Sequence, residues 1–368
     1  MNNSEGTFKA RNHMHPKLNL KALTSQQVAS FFHNAGLPLF RARQLLHWMY
    51  ERYAQSIGDI TEFSQALRKR LSERSFISVL TLLKRQTSED GTEKFLFALE
   101  DGESIESVLI PDKGRLTLCI SSQVGCNMGC LFCLTGTLGF KRNLKAYEIV
   151  DQCITVSRII APERITNIVF MGMGEPLLNF DEVVDSLQRM TDLMKISKRR
   201  ITLSTAGIVP RILELGGAGR SMAKTGPTPH MGAPRVNLAI SLNATTDRVR
   251  DMLMPINKIY PLKSLIDACR IFPLEPRRRI TFEYVMLNGI NDSAADARRL
   301  ITLLTGIPSK VNLIPFNPYE GCGFRRPSDE TVLTFQKILL DARMTTLIRK
   351  SKGQDILAAC GQLKAGYP

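Results

Sequence analysis

The sequence predicts an α/β fold, a partial (βα)6 barrel preceded by a small N-terminal helical domain and a short antiparallel β extension. Three features support this fold. Apolar residues near the N-terminus recur at helical spacing, and two tight-turn dipeptides then separate short apolar runs. From about Leu116 onward, strand-like runs alternate with helical patterns, as in parallel sheets. The six runs are 116–121, 167–171, 200–204, 237–241, 280–285 and 311–315.

Five regions are expected along the chain. Residues 1–16 are polar and predict a disordered N-terminus. Residues 17–77 should form a helical accessory domain, because apolar residues follow helical spacing there. Residues 78–111 should form a β-hairpin extension, and residues 112–355 the barrel core. Residues 356–368 remain as a C-terminal tail.

Turn residues and periodicity place the elements within these regions. Asp90 with Gly91, and Asp101 with Gly102, suit the tight turns of hairpins. The segment Gly216–Arg235, rich in Gly, Pro, Lys and Arg, predicts a surface loop. Helical patterns of the barrel cover 145–160, 179–194, 293–305 and 329–341.

The composition favours a polyanionic partner. The chain has 49 Lys and Arg against 34 Asp and Glu, a net charge of +15. RNA, DNA or an anionic membrane surface all fit this charge. No apolar run reaches the ~18 residues that cross a bilayer, and the N-terminus lacks the apolar stretch of a secretory signal, so we expect a cytoplasmic protein. Basic clusters that could contact phosphates are Lys198–Arg200, Arg277–Arg279, Arg325–Arg326 and Arg349–Lys350.

Eight cysteines in a large chain without an apparent secretory signal indicate metal ligands or redox chemistry rather than a disulfide framework. Cys126, Cys130 and Cys133 follow the first barrel strand at C-x3-C-x2-C spacing. A structural zinc site needs four ligands, and the nearest fourth candidate, Cys119, lies on the strand. Three thiolates instead suit a four-iron cluster with one open coordination position, although zinc or buried thiols remain alternatives.

The other cysteines lack a paired spacing. Cys153 and Cys269 lie within helical apolar patterns, which predicts small buried hydrophobic side chains. Cys322 receives no role. Cys360 lies in a tail of small residues and by composition alone would be an ordinary thiol.

Polar residues at predicted strand ends are candidates for cofactor binding, because barrels place their chemistry at the carboxyl ends of strands. Taken alone, these positions would more often cap helices or form turns. The candidates are Gly174, Glu175, Ser204, Ser241, Leu242, Asn243 and Asn317.

The cysteine spacing, with Phe132 directly before the last cysteine, resembles that of the radical S-adenosylmethionine (SAM) superfamily. The resemblance implies a radical SAM barrel and one [4Fe-4S] cluster on Cys126, Cys130 and Cys133. In that superfamily the open iron chelates SAM, and an electron from the cluster cleaves it to a 5′-deoxyadenosyl radical. The strand-end residues would then bind SAM.

Four further strings resemble the RlmN/Cfr group of RNA adenine methyltransferases. They are Ser121–Gly125, Gly174–Pro176, Asn312–Pro315 and Asp355–Leu363, and the resemblance covers about residues 20 to 364. Asn243 stands where family members often carry His, and the loop at 216–235 is longer than expected.

The resemblance implies three catalytic residues. The residue matching Cys360 is methylated by one SAM, and a second SAM supplies the radical, so each methylation uses two. The residue matching Cys119 then attacks the thioether sulfur and forms a transient disulfide with Cys360. Glu106, in the string Ile105–Val108, matches the family's proton acceptor.

Adenine chemistry explains why such residues are needed. Adenine C2 lies between two ring nitrogens and is electron-poor, so it does not attack the methyl group of SAM as an amine or a thiolate does. A methylene radical on Cys360 could add to this carbon, after which a second thiol must release the product.

The resemblance also implies the partners. The substrates would be an adenine of 23S rRNA and an adenine of the tRNA anticodon loop, and a reductant such as flavodoxin or ferredoxin would supply electrons. The helical domain would bind the RNA, and the enzyme would act as a monomer. The N-terminal segment and the chain length favour methylation at C2, while a Cfr-type enzyme acting on C8 is the alternative. Two alternatives belong to other functional classes. One is a non-catalytic RNA-binding protein with a zinc-stabilised loop, and the other is a radical SAM enzyme that acts on a peptide or a small molecule.

Overall fold

The computed structural model describes residues 17–217 and 232–364. The predicted disordered N-terminus and most of the predicted surface loop lie outside the described residues. The chain forms two compact units, one ending at Val79 and the other beginning at Leu80. Among the described helices, none has both the length and the apolar character required to cross a membrane.

The first unit is helical. Its helices are α1 (Ser25–Asn34), α2 (Leu39–Tyr50) and α3 (Gln65–Arg74), and a short parallel pair joins β1 (Leu18–Asn19) to β2 (Ser75–Phe76).

A capping box begins α1 and a glycine turn follows it. The Thr24 hydroxyl accepts from the Gln27 amide, and the Gln27 side chain accepts from the Thr24 amide. Gly36 has a left-handed φ of 70°, which allows the tight turn before α2. The helices enclose an apolar core that includes Val28, Phe32, Leu45, Met49 and Phe63.

The second unit contains one ten-stranded sheet with an antiparallel and a parallel part. The antiparallel strands are β3 (Thr81–Thr87), β4 (Glu93–Ala98) and β5 (Ser104–Asp112). The parallel strands are β6 (Arg115–Cys119), β9 (Asn167–Phe170), β10 (Ile201–Thr205), β11 (Asn237–Ser241), β12 (Ile280–Met286), β13 (Ser309–Pro315) and β14 (Thr346–Ile348). A separate hairpin joins β7 (Gln123–Gly125) to β8 (Phe140–Asn143).

Helices follow the strands of the parallel part, as in βα units. They are α4 (Leu134–Thr137), α5 (Ala146–Ile159), α6 (Phe180–Gln188), α7 (Val209–Leu215), α8 (Asp247–Leu253), α9 (Leu262–Ile271), α10 (Ala294–Leu304) and α11 (Asp329–Asp341). The predicted helix 179–194 is divided, because α6 ends at Gln188 and a wider π turn continues to Leu193.

The sheet differs from the sequence prediction in two respects. All six predicted strand runs are present, but β14 adds a seventh parallel strand beside β13. The antiparallel extension is continuous with the barrel, because β5 pairs with β6, placing Val108 opposite Cys119. Residues of the extension therefore lie one strand away from the first barrel strand.

Candidate active site

A cavity that is partly open to solvent lies at the carboxyl ends of the parallel strands. This is the usual position of the active site in βα barrels. The cavity gathers most of the predicted site residues. Those that line it are Cys126, Cys130, Cys133, Gly174, Glu175, Ser204, Ser241, Asn243, Asn317 and Cys360.

The loop that carries Cys126, Cys130 and Cys133, here called the cysteine loop, is held in place by backbone hydrogen bonds. The Cys126 amide donates to the Gly139 carbonyl at 2.9 Å, and the Leu131 amide donates to the Leu253 carbonyl at 3.0 Å. Gly125 has a φ of 73°, and a Cβ there would lie 1.9 Å from the Gly139 oxygen. Only glycine therefore allows the close crossing of β7 and β8 that begins the loop.

The three thiols of the cysteine loop line the cavity, and their charges would repel one another. Burial raises the pKa of Cys126 to about 12, with Cys133 and Glu175 acting in the same direction. Burial also raises the pKa of Cys130 well above its usual value, and Cys133 and Cys126 add to this. A cation bound by all three sulfurs would offset this repulsion and displace their protons. Three soft sulfur donors on one loop are ligands of the type that hold iron–sulfur clusters.

The glycine turn after β9 positions Glu175. The Glu175 amide donates to the Gln123 side chain at 2.8 Å. Its carboxylate accepts from the amides of Leu177 at 2.9 Å and Ala206 at 2.7 Å. Each carboxylate oxygen keeps acceptor capacity for a donor in the cavity, such as an amine.

Gly174→Ala should destabilise the protein by about 3 kcal/mol, because Gly174 has a φ of 99° and an added Cβ would lie 2.6 Å from the Gln123 Cβ. Thermal unfolding would measure this loss. Gly321→Ala is the matched control, since Gly321 has a φ of 81° but open space around it; it should lose only about 1 kcal/mol. Equal losses in the two variants would contradict the steric argument.

The remaining strand-end residues differ in how they meet the cavity. Asn243 adopts a left-handed φ of 58°, and its side-chain oxygen accepts from the Val285 amide at 2.9 Å. Both Asn and His are enriched at such φ values, which accounts for either residue at this position. Asn317 accepts from the Gln354 side chain at 2.6 Å. Leu242 does not line the cavity; its buried side chain lies behind the wall.

Arg250 is a site residue that sequence reasoning missed. It is fully buried and donates to the carbonyls of Leu242 at 3.0 Å, Ala206 at 2.7 Å and Ser241 at 3.2 Å. Burial lowers its pKa to about 10, while the nearby Cys130 acts in the opposite direction. Arg250 therefore fixes the ends of two strands beside the cysteine loop. No local pattern indicated this role, because an arginine in a short polar helix is normally exposed.

Cys360 reaches the cavity because the tail is bonded to the cysteine loop. The Leu134 amide donates to the Gly361 carbonyl at 2.7 Å, and the Thr135 hydroxyl donates to the Leu363 carbonyl at 2.7 Å. These bonds keep the Cys360 thiol at the cavity wall beside the loop that carries the other three thiols.

The same tail is also bonded to the antiparallel strands. The Ser88 hydroxyl donates to Asp355 at 2.5 Å, and the Gly353 amide donates to Asp90 at 3.0 Å. The Lys364 amide donates to the Glu106 carboxylate at 2.9 Å. The tail is thus anchored on both sides of Cys360.

Glu106 and Cys119 lie behind the tail rather than on the cavity wall. Glu106 is buried and pairs with the buried Lys94 ammonium at 3.2 Å. Cys119 packs in an apolar cluster with Val108, Met173, Ala358 and Leu363. Burial raises the pKa of the Cys119 thiol to about 12, and Cys360 is close enough to raise it further.

The other predicted residues have simpler surroundings. Cys153 and Cys269 are buried, as expected of small hydrophobic side chains. Cys322 hydrogen-bonds Tyr319 and does not line the cavity. Arg349 was grouped with Lys350 as a possible phosphate contact, but its side chain lines the cavity instead.

Comparison with known proteins identifies matches over both units. Residues 18–77 match the family described as "Ribosomal RNA large subunit methyltransferase N-terminal domain". Residues 120–301 match the radical SAM superfamily. The fold resembles the crystal structure of a radical SAM methyltransferase from Sphaerobacter thermophilus, with a TM-score of 0.86 and 40% identity, covering 95% of this chain and 99% of that one.

Curated relatives match nearly the whole chain. A dual-specificity RNA methyltransferase RlmN of Geobacter sulfurreducens is 51% identical over 353 residues, covering 95% of this chain and 93% of the relative. The RlmN of Geotalea uraniireducens is 49% identical over 350 residues, covering 95% and 97%. These matches confirm the predicted radical SAM fold and the predicted family. The chain belongs to the RlmN family of dual-specificity RNA methyltransferases, within the radical SAM superfamily.

Proposed function

We propose that this enzyme methylates C2 of an adenine in 23S rRNA and of an adenine in the tRNA anticodon loop. One observation carries the proposal: a single cavity holds the three thiols of the cysteine loop together with Cys360, and Cys119 lies close behind. Ordinary SAM-dependent transfer to a nucleophile would need none of these thiols. A carbon that is not nucleophilic needs both a radical and a covalent carrier.

The cysteine loop and the strand ends would bind the cofactors. Cys126, Cys130 and Cys133 would hold one [4Fe-4S] cluster, whose open iron would bind SAM and whose electron would cleave it to a radical. Glu175 would accept a hydrogen bond from the SAM amine, because it lines the cavity and keeps acceptor capacity. Its neighbours in SAM binding would be Gly174, Ser204, Ser241, Leu242 through its backbone, Asn243 and Asn317.

The three catalytic residues would act in order on one methyl group. Cys360 would accept the methyl from a first SAM and present it in the cavity, where hydrogen abstraction allows its carbon to join the base. Glu106 would accept the proton from C2, and the unpaired electron left by the radical addition would return to the cluster that supplied it. Cys119 would then attack the Cys360 sulfur, releasing methyladenine and forming a disulfide. Reduction of that disulfide prepares the enzyme for another cycle.

Glu106 and Cys119 are held on paired strands. Glu106 on β5 and Cys119 on β6 both contact the tail or its apolar cluster. The continuous sheet supports this assignment, because a base and a thiol that serve the same covalent intermediate must lie near the same carrier. A reductant such as flavodoxin or ferredoxin, a monomeric state and a cytoplasmic location remain predictions.

Nucleoside mass spectrometry would test the proposal. Iron-reconstituted protein, SAM and a reductant would react anaerobically with unmodified ribosomal RNA and, separately, with tRNA. We expect 2-methyladenosine in digests of both RNAs. 8-Methyladenosine would mean that the Cfr-type alternative is correct, since it uses the same cysteines. Product from only one RNA would contradict dual specificity, and no methylated adenosine would contradict the proposed reaction.

A further inference from the structure

Arg349 is a cation inside the cavity for which the proposed reaction has no role so far. It follows β14 directly, and its amide donates to the Leu313 carbonyl at 2.8 Å, which fixes its backbone against β13. Its guanidinium donates to the Met171 sulfur at 3.7 Å. Met171 in turn packs against the apolar cluster around Cys119. The Arg349 side chain therefore lines the cavity and, through Met171, contacts the apolar cluster that contains Cys119.

Three groups face this guanidinium. Burial alone lowers the pKa of Arg349, but Cys360, Glu283 and Cys119 together raise it above its usual value. Glu283, on β12, also lines the cavity; one oxygen accepts from Asn312 at 2.9 Å, and the other is buried without a hydrogen-bond partner. Arg349 is thus surrounded by groups that are anionic or can become so.

Cys119 has a particular need for such a cation. A thiol attacks another sulfur as its thiolate, and the apolar cluster around Cys119 disfavours a negative charge. Of the charged groups that act on Cys119, Cys360 raises its pKa and Arg349 lowers it. Glu283 and Cys133 likewise raise the pKa of the Cys360 thiol, whereas Arg349 lowers it.

We propose that Arg349 is a positioning residue that stabilises the Cys119 thiolate during release of the methylated base. This inference rests on the proposed function, because it explains how one step of the proposed reaction is favoured. In that step the Cys119 sulfur attacks the Cys360 sulfur, an S–S bond forms, and the bond from the Cys360 sulfur to the transferred carbon breaks. The electron pair of the broken bond stays on the carbon, which takes up a proton from the acid form of Glu106. The two sulfurs lose two electrons and the carbon gains them.

Arg349→Met should therefore delay release rather than prevent attachment. The variant keeps the length and apolar stem of the side chain and removes only the charge. Loss of the Arg349 charge lowers the thiolate fraction of Cys119, so the covalent protein–RNA adduct should decay about tenfold more slowly than in the wild type. Adduct would be quantified on denaturing gels over a time course, beside mass spectrometry of methylated Cys360 and of 2-methyladenosine.

Two further variants and a change of pH make the test specific. Arg349→Lys keeps the charge and should restore most of the decay rate. Arg298→Met removes an exposed arginine from α10 and should decay like the wild type. Raising the pH from about 7 to about 9 should accelerate decay in the wild type and in Arg349→Met alike, because the Cys119 thiol ionises more fully in both, so the difference in decay rate between them should persist.

The outcomes separate this proposal from the proposed function. Normal adduct decay in Arg349→Met would overturn it, and so would a folded variant that methylates Cys360 but never forms adduct. Cys119→Ser should trap the adduct completely. If neither the wild type nor Cys119→Ser forms any adduct, the covalent mechanism itself fails, and the role of Arg349 fails with it.

Discussion

Cys360→Ala should lose all detectable RNA methylation, a fall of at least about a thousandfold. The reason lies in the substrate: adenine C2 is not nucleophilic, so direct transfer from SAM gives no slower alternative route. The variant should retain its iron, because the three thiols of the cysteine loop are unchanged. Mass spectrometry of digested RNA would measure 2-methyladenosine, and iron analysis would show that the cluster is intact.

Cys322→Ala is the matched control for this loss. Cys322 is also accessible to solvent, although less so than Cys360, and it does not line the cavity. Its replacement should leave product formation within about twofold of the wild type, as for most surface changes. If Cys360→Ala still produced 2-methyladenosine, the methyl-carrier role would be refuted, although family membership would stand.

Cys130→Ala should abolish both cluster binding and methylation. The cluster relies on three thiolates, so removing one leaves two ligands, which is too few for a stable [4Fe-4S] cluster. Iron content should fall from about four per chain to below about one, with loss of the brown colour and of visible absorbance. Atomic emission analysis of anaerobically reconstituted protein would measure the change, with Cys322→Ala again as the control.

The identity of the bound metal gives the result that would contradict cluster binding by the cysteine loop. Wild-type protein that is colourless and contains one zinc would mean that the loop is a structural zinc site. A Cys130→Ala variant that retained full iron would mean that another residue supplies the ligand. Neither result would alter the fold, which is supported by the whole-chain match.

Much of the fold follows from the sequence because the barrel strands and helices have strong local periodicity. β14 was missed because only three residues form it and their alternation carries no signal. The continuity of the extension with the barrel was also missed, since the pairing of β5 with β6 depends on how the whole sheet assembles. Local patterns indicate which segments are strands but not which edges they share.

The site divides in the same way. Cys126, Cys130 and Cys133 lie on one loop, so their spacing alone indicated that they could bind one metal centre together. Glu106 and Cys360 lie more than 250 residues apart in sequence, and only a family resemblance could place them together. Arg250 had no signal of either kind, and Arg349 was assigned only as a possible phosphate contact, because the roles of both depend on burial in the folded chain.

The sheet has one further property with consequences for synthesis of the chain. From β3 to β14, every strand of the large sheet pairs with the strand of that sheet that precedes it in sequence. Such a sheet can grow in one direction as the polypeptide leaves the ribosome, each new strand adding to an edge that already exists. The segment that bears Cys360 follows β14, so the cavity is completed only after every strand of this sheet has been translated. A nascent chain stalled before that point would contain the cysteine loop but not Cys360.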